Sequence, residues 1–231
     1  MKKLLAAVVF LSVPIWLTLG YVIHLTTPEA ATAEINPETA VNATVSLHNE
    51  NGVVNCSGVI IDPHYIMTNA HCVLGEHEAL VGYRDMLEPL PATVVFRGSP
   101  DDIDVAVLRV NEPAPYAPIP VRCSAPIYGE EIAVIGHPLR LRWTTTWGRI
   151  SHQDPVRESR WLVSGMINPG NSGGTVHDAY GRLIAISTDM VAYQSGFRGP
   201  SGHTGISGVT ALSAVCQDFY EMGFLTVEKE G

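Results

Sequence analysis

The sequence predicts an all-β protein, built as barrels or a sandwich, and three observations carry that expectation. Short apolar segments of strand character recur at close spacing along the chain. The 21 glycines and 16 prolines, out of 231 residues, are spread between those segments and break the chain into turns throughout. Beyond the amino terminus only one stretch has helical periodicity.

Along the chain, Lys2 and Lys3 come first, followed by an apolar run over 4–23 that includes Pro14 and Gly20. A run of about 20 apolar residues can cross a bilayer, and it exceeds the apolar core of about 7–15 residues usual in a cleaved signal peptide. Residues 1–24 are therefore expected to form a signal anchor, with the lysines on the cytoplasmic side and the rest of the chain exported. The alternative is a signal peptide cleaved after Ala33, at the small-x-small pattern Ala31-Thr32-Ala33, which would secrete the protein. Residues 25–38 are polar and small, contain Pro28 and Pro37, and read as a linker.

Strands are expected at 41–48, 58–61, 65–68, 93–96 and 105–110. A further set follows at 132–135, 144–150, 161–163, 175–177, 183–187 and 206–209. The turn-forming Asp62-Pro63-His64 splits the second from the third. Prolines 113, 115, 118, 120 and 126 are too dense for a sheet interior. Residues 113–126 are thus expected to be a strap between a first half, 39–112, and a second, 127–209. The helix is expected over 210–222: Thr210 can cap it, Leu212, Val215, Phe219 and Met222 recur on one face, and Gly223 stops it. Trp143, Trp147 and Trp161 read as packing residues.

Apolar residues make up 46% of the chain and charged residues 16%, a balance that supports a core and excludes a disordered chain. The net charge is −9 and no Lys/Arg run follows Lys3, which excludes a nucleic-acid partner. No cofactor is expected. Four cysteines suit an exported protein. Cys56 and Cys72 stand 16 positions apart, where a bridge would contribute about 3 kcal/mol in the chain-entropy model. Cys123 and Cys216 would form the second pair. Four thiols in a reducing compartment are the alternative. A zinc site from Cys56, His71, Cys72 and His77 lacks the Cys-x2-Cys spacing, so no metal is expected.

Three segments carry candidate chemistry: Thr68-Asn69-Ala70-His71-Cys72, Asp104 opening the run Val105-Ala106-Val107-Leu108, and Asn168-Pro169-Gly170-Asn171-Ser172-Gly173-Gly174. Each is modest alone; together, in the order His, Asp, Ser, they are specific. A serine hydroxyl needs a base within hydrogen-bond reach, a neutral imidazole can take and return its proton, and a carboxylate fixes the imidazole tautomer. His71, Asp104 and Ser172 fit those roles. Asp101 and Asp102 read as turn residues, and His77, His137, His152 and His177 as surface or structural. The backbone N–H groups of Gly170 and Ser172 can converge as donors to an oxyanion.

These segments resemble the trypsin/chymotrypsin superfamily, and more closely its HtrA/Deg-type branch. The similarity extends to Thr146-Trp147-Gly148-Arg149-Ile150-Ser151 and Gly181-Arg182-Leu183-Ile184-Ala185-Ile186, and runs from about Val41 to Phe219. The resemblance implies two six-stranded antiparallel β-barrels, with His71 and Asp104 on the first and Ser172 on the second, and a carboxy-terminal helix. It implies a protease domain over 39–231 and disulfides Cys56–Cys72 and Cys123–Cys216. Two departures stand out. Trypsins that mature by cleavage carry an acid before the nucleophile, whereas this chain has Asn171, so that zymogen switch is not expected. HtrA/Deg proteins usually carry a PDZ domain after the protease; only 59 residues follow Ser172, enough to finish the second barrel.

By the same analogy Met166 lies at the base of the primary specificity pocket, next to Ile167. Segment 187–190, with Ser187 and Thr188, and segment 203–206, with His203, form the walls. Met166 is not an acid, so the pocket is expected to prefer a medium-sized apolar side chain over Arg or Lys. The alternative has His203 binding an acidic side chain. The expected function is a serine endopeptidase acting on polypeptides through an acyl-enzyme. The alternatives are a silent binding protein on the same fold and an esterase-type acyl hydrolase.

Overall fold

The computed structural model describes residues 37–49, 51–165, 167–193 and 202–226. The expected anchor over 1–24, the linker up to residue 36, and Met166 lie outside them, as does the side chain of His203. Among the described residues no helix is long and apolar enough to cross a membrane.

Strands β1 (Thr44–His48), β2 (Val54–Asp62), β3 (Tyr65–Thr68), β4 (Glu78–Gly82), β5 (Leu90–Arg97) and β6 (Ala106–Val110) close into one antiparallel barrel in the order β1-β2-β3-β6-β5-β4. Strands β7 (Glu131–Gly136), β8 (Thr144–Gln153), β9 (Arg160–Ser164), β10 (Thr175–Asp178), β11 (Leu183–Tyr193) and β12 (Gly202–Ala211) close into a second, in the order β10-β11-β12-β9-β8-β7. Closure leaves neither barrel an open edge to pair with another chain.

The hairpin between β2 and β3 turns where Asp62 predicts it, because its carboxylate accepts the His64 N–H at 2.9 Å. Strand β4 was not expected. Its run Glu-Ala-Leu-Val-Gly has only two fully buried residues, and it becomes a strand by pairing with both β1 and β5. It is the strand that closes the first barrel.

Each barrel has its own apolar filling. The first includes Val45, Val59, Ile66, Met67, Val81, Val107 and Leu108. The second includes Ile132, Val134, Ile150, Val163, Val176, Ile184 and Val209. A short helix, α1 (Pro37–Ala43), lies where the sequence reads as linker running into strand. Pro37 opens it, a position that costs no backbone hydrogen bond, and Ala40 and Ala43 are buried in the first core.

The expected helix over 210–222 is shorter. Thr210 and Ala211 belong to β12, where Thr210 pairs with Ile186 and Arg160, so the sheet claims the residue expected to cap the helix. A 3-10 turn at Leu212–Ala214 follows, then α2 (Cys216–Glu221). Gly223, at φ +76°, ends it as expected. Phe219 packs edge-on against Phe96 and Phe224, which seats α2 on the first barrel. Trp147 departs from the expectation: it is 76% exposed on β8, whereas Trp161 packs against the second core.

Candidate active site

β3 ends at Thr68, and a 3-10 turn at Ala70–Val73 carries His71 out of the barrel. Asp104 lies just before β6, the sheet neighbour of β3, so the two side chains meet. His71 Nδ1 lies 2.6 Å from Asp104 Oδ2, and the His71 backbone N–H donates to Asp104 Oδ1 at 3.0 Å. An ionised carboxylate only accepts, so Nδ1 carries the ring hydrogen and Nε2 presents a lone pair. Asp104 is 6% exposed. Its carbonyl accepts from Asn69 Nδ2 at 2.7 Å, and the same amide reaches Thr188 Oγ1 in the second barrel at 3.3 Å. Asn69 therefore braces the His–Asp pair against the partner barrel.

Ser172 sits on the turn that leads into β10. It and His71 line one cavity of about 290 Å3, with Ile167, Thr188, Asp189 and Met190 among its walls. The Ser172 hydroxyl donates to the Thr188 carbonyl at 3.1 Å. Among the described residues no hydrogen bond joins it to His71. Such bonds are often long in unliganded sites and tighten when substrate binds.

The turn's backbone divides its donors. The N–H groups of Asn171, Gly173 and Gly174 donate to the carbonyls of Asn168, Ser187 and Asn171 at 3.0, 2.7 and 2.7 Å. Those of Gly170 and Ser172 have no acceptor among the described residues. The Pro169 carbonyl accepts from the Leu139 N–H at 2.8 Å, so the trans peptide directs the Gly170 N–H the opposite way. Gly170 has φ +103°, and a Cβ there would run into the His137 carbonyl oxygen. Two free donors two positions apart are what an anionic oxygen needs.

The remaining expected residues divide. Ile167 and Thr188 line the cavity. Ser187 does not reach it: fully buried, its hydroxyl donates to the Asn171 carbonyl and its backbone holds Gly173 and Gly174. The alternation of β11 turns Ser187 under the turn and Thr188 toward the cleft. Asp189, in the expected wall segment, accepts from Arg160 Nη2 and Nε at 2.6 and 3.1 Å, and Arg160 Nη1 donates to Asp154 at 2.6 Å. Its charge is thereby engaged before any substrate arrives. Asn171 is buried and its Oδ1 has no partner, so an acid at that position would be an uncompensated buried charge.

Cys56–Cys72 and Cys123–Cys216 are disulfides, with Cα separations of 6.1 and 5.6 Å. The first ties β2 to the turn bearing His71; the second ties the strap to α2. The grouping of Cys56, Cys72 and His71 offers a metal no thiolate, since both sulfurs are bonded to each other. Ser57 and Asn69 both contact the site; Asn69 lies in the segment around His71, but no role for either is legible there, and only their hydrogen bonds across the barrels reveal one.

Two barrels with a serine, a histidine and an aspartate converging at their junction define the class of serine-type peptidase domains. The trypsin-like peptidase domain family matches residues 56–186, more than half of the chain, and the chain belongs to that family. It is 36% identical over 149 residues to "Protease Do-like 1, chloroplastic" of Arabidopsis thaliana, covering 57% of this chain and 32% of that one. It is 33% identical over 140 residues to "Serine endoprotease DegS" of Escherichia coli K12, covering 57% and 39%. The matched part thus spans well under half the length of these relatives. Among solved structures, a serine endoprotease from Yersinia pestis superposes with a TM-score of 0.64 at 26% identity, over 80% of this chain and 64% of that one. These relatives fall in the HtrA/Deg-type branch that the motifs resemble.

Proposed function

We propose that the chain is an exported endopeptidase that hydrolyses peptide bonds through a Ser172 acyl-enzyme, with His71 as base and acid and Asp104 as its partner. The observation that carries the reading is the 2.6 Å contact between His71 Nδ1 and Asp104, which leaves Nε2 free to take a proton in the cavity it shares with Ser172. Ser172 Oγ bonds to the substrate carbonyl carbon as its proton passes to Nε2. The carbonyl oxygen takes up negative charge between the Gly170 and Ser172 N–H groups. Collapse expels the amine, which leaves with the proton from Nε2. Water then attacks the ester by the same route, releasing the acid and restoring Ser172.

The cavity walls at Ile167 and Met190, and the engagement of Asp189 by Arg160, support an apolar, medium-sized residue before the cut. A binding-only role would leave the His71–Asp104 pair and the two free N–H groups without a purpose. The apolar run over 4–23 supports a membrane tether, and the two disulfides fit an oxidising compartment. Recovery of the protein in the soluble fraction with Glu34 as first residue would instead establish cleavage after Ala33.

The full chain should cleave unfolded casein and react with a fluorophosphonate at Ser172, and Ser172→Ala should abolish both. An intact protein that does neither, or a Ser172→Ala variant as active as the parent, would falsify the reading. A peptide-library profile of the cut sites tests the apolar preference, which fails if cuts follow Glu or Asp.

A further inference from the structure

The turn bearing Ser172 is gripped from the opposite barrel by one residue of β2. Ser57 is fully buried. Its backbone N–H donates to the Ser172 carbonyl at 2.7 Å, and its hydroxyl donates to the Gly170 carbonyl at 2.7 Å. It thus holds the carbonyls of the two residues whose N–H groups are free. The hydroxyl also lies 2.9 Å from His137 Nδ1 and 3.1 Å from the His137 backbone nitrogen.

Counting hydrogens fixes the state of this cluster. A carbonyl only accepts, so the single hydroxyl hydrogen of Ser57 goes to Gly170. Both nearby nitrogens of His137 must then be donors, and Nδ1 carries the ring hydrogen. Nε2 is left bare, buried and without a partner, in a residue with no exposed surface. An unsatisfied buried nitrogen is destabilising, a cost that a packing residue such as Phe would avoid. Burial also pushes this imidazole down to about 4, so it is neutral at pH 7. What the histidine supplies is the Nδ1–H that directs the Ser57 hydroxyl.

Gly170 is therefore restrained through both of its peptides. The Pro169 carbonyl on one side is held by Leu139 N–H, and its own carbonyl on the other by Ser57 Oγ. Releasing either frees a glycine to rotate, since nothing intrinsic keeps it at φ +103°. We propose that Ser57 and His137 are positioning residues for the oxyanion site, His137 orienting the Ser57 hydroxyl and Ser57 fixing the backbone of Gly170. The proposal rests on the assignment of Ser172 as nucleophile and of Gly170 and Ser172 as oxyanion donors.

Three variants of the full chain test it: Ser57→Ala, His137→Phe, which keeps a ring but no nitrogen, and His137→Asn, whose amide nitrogen can stand where Nδ1 does. End-point fluorophosphonate titration counts competent sites, so kcat is expressed per site and loss of folded protein is removed from the comparison. Ser57→Ala should lower kcat per site about tenfold or more with KM little changed, because oxyanion donors act in the transition state. His137→Phe should lower kcat by a smaller factor, and His137→Asn should recover most of it. A kcat per site within about twofold of the parent in Ser57→Ala, or His137→Asn no better than His137→Phe, overturns the proposal. If Ser57→Ala does not fold, the two His137 variants decide alone. A parent chain that is itself inert and unlabelled removes the functional reading and this proposal together, whereas a labelled parent with unaffected variants removes only the proposal.

Discussion

Asp104 holds His71 twice, by its ring and by its backbone: one carboxylate oxygen takes Nδ1–H at 2.6 Å and the other takes the peptide N–H at 3.0 Å. Both positions require an acceptor. In Asp104→Asn one position must face an NH2 group, so either the tautomer reverses or the backbone bond is lost. The variant should fold, because the change is isosteric, and should lose about 10^4-fold in kcat, the size seen when a triad imidazole is held in the wrong tautomer. Steady-state kinetics on a peptide substrate checks this, and a loss under tenfold would mean that Asp104 does not orient the base.

Gly170→Ala attacks the oxyanion site by geometry. The added Cβ meets the His137 carbonyl, and φ +103° is a conformation that alanine avoids. The turn must rotate, and the Gly170 N–H leaves its place. Loss of one such donor corresponds to about 10^2–10^3 in kcat. KM should change far less, and a variant with normal kcat would show that the Gly170 N–H is not used.

His137 gives stability a dependence on acidity. Burial, reinforced by the charges of Arg142 and His48, holds its imidazole down at about 4. An unfolded chain takes up the same proton near pH 6.5. Between those values the unfolded state binds more protons, so stability is complete above about pH 6.5 and falls as the pH drops toward 4, by up to about 3 kcal/mol. Denaturant unfolding at pH 7 and at pH 4.5 should show the parent losing more stability than His137→Gln. Equal losses would remove His137 from the account.

The two disulfides should fail differently. Cys123–Cys216 spans 93 positions and Cys56–Cys72 spans 16. In the chain-entropy model their removal costs about 4–5 and about 3 kcal/mol. Replacing the long-range pair with alanines should lower stability more while leaving kcat of the folded fraction intact. Replacing Cys56 and Cys72 should lower kcat as well, since Cys72 adjoins His71 in the same turn. Urea unfolding and kinetics on both double variants check the order.

Much of this architecture was readable in the sequence because period and punctuation agree there. Among the described residues, eleven of the twelve strands overlap segments whose strand character is legible in the sequence, and the motif around Ser172 marks its own chemistry. β4 is not legible in the sequence because Glu78 and Ala79 carry no strand signal; its two neighbours in the closed barrel impose its conformation. Thr210 has the character of a helix cap, yet the pairing of β12 with β9 and β11 outweighs that local preference. Ser187 reads from the sequence as a wall of the cleft, but β11 turns it inward. Asn69 lies in the segment around His71 and His137 reads as surface or structural, yet the roles of Ser57, Asn69 and His137 are not legible in the sequence, because they rest on hydrogen bonds to groups 35 to 113 positions away.

Asn69 and Ser57 both stretch from the first barrel to groups of the second, one to Thr188 and the other to Gly170 and Ser172. With Ser172 as the proposed nucleophile and His71 as its proposed base, neither barrel alone carries both. On that reading, a newly made copy in which only the first barrel has folded would be chemically harmless, as would one whose halves had come apart. The proposed peptide cleavage would then begin only with the last act of assembly, sparing neighbouring copies while they are still unfolded and most easily cut.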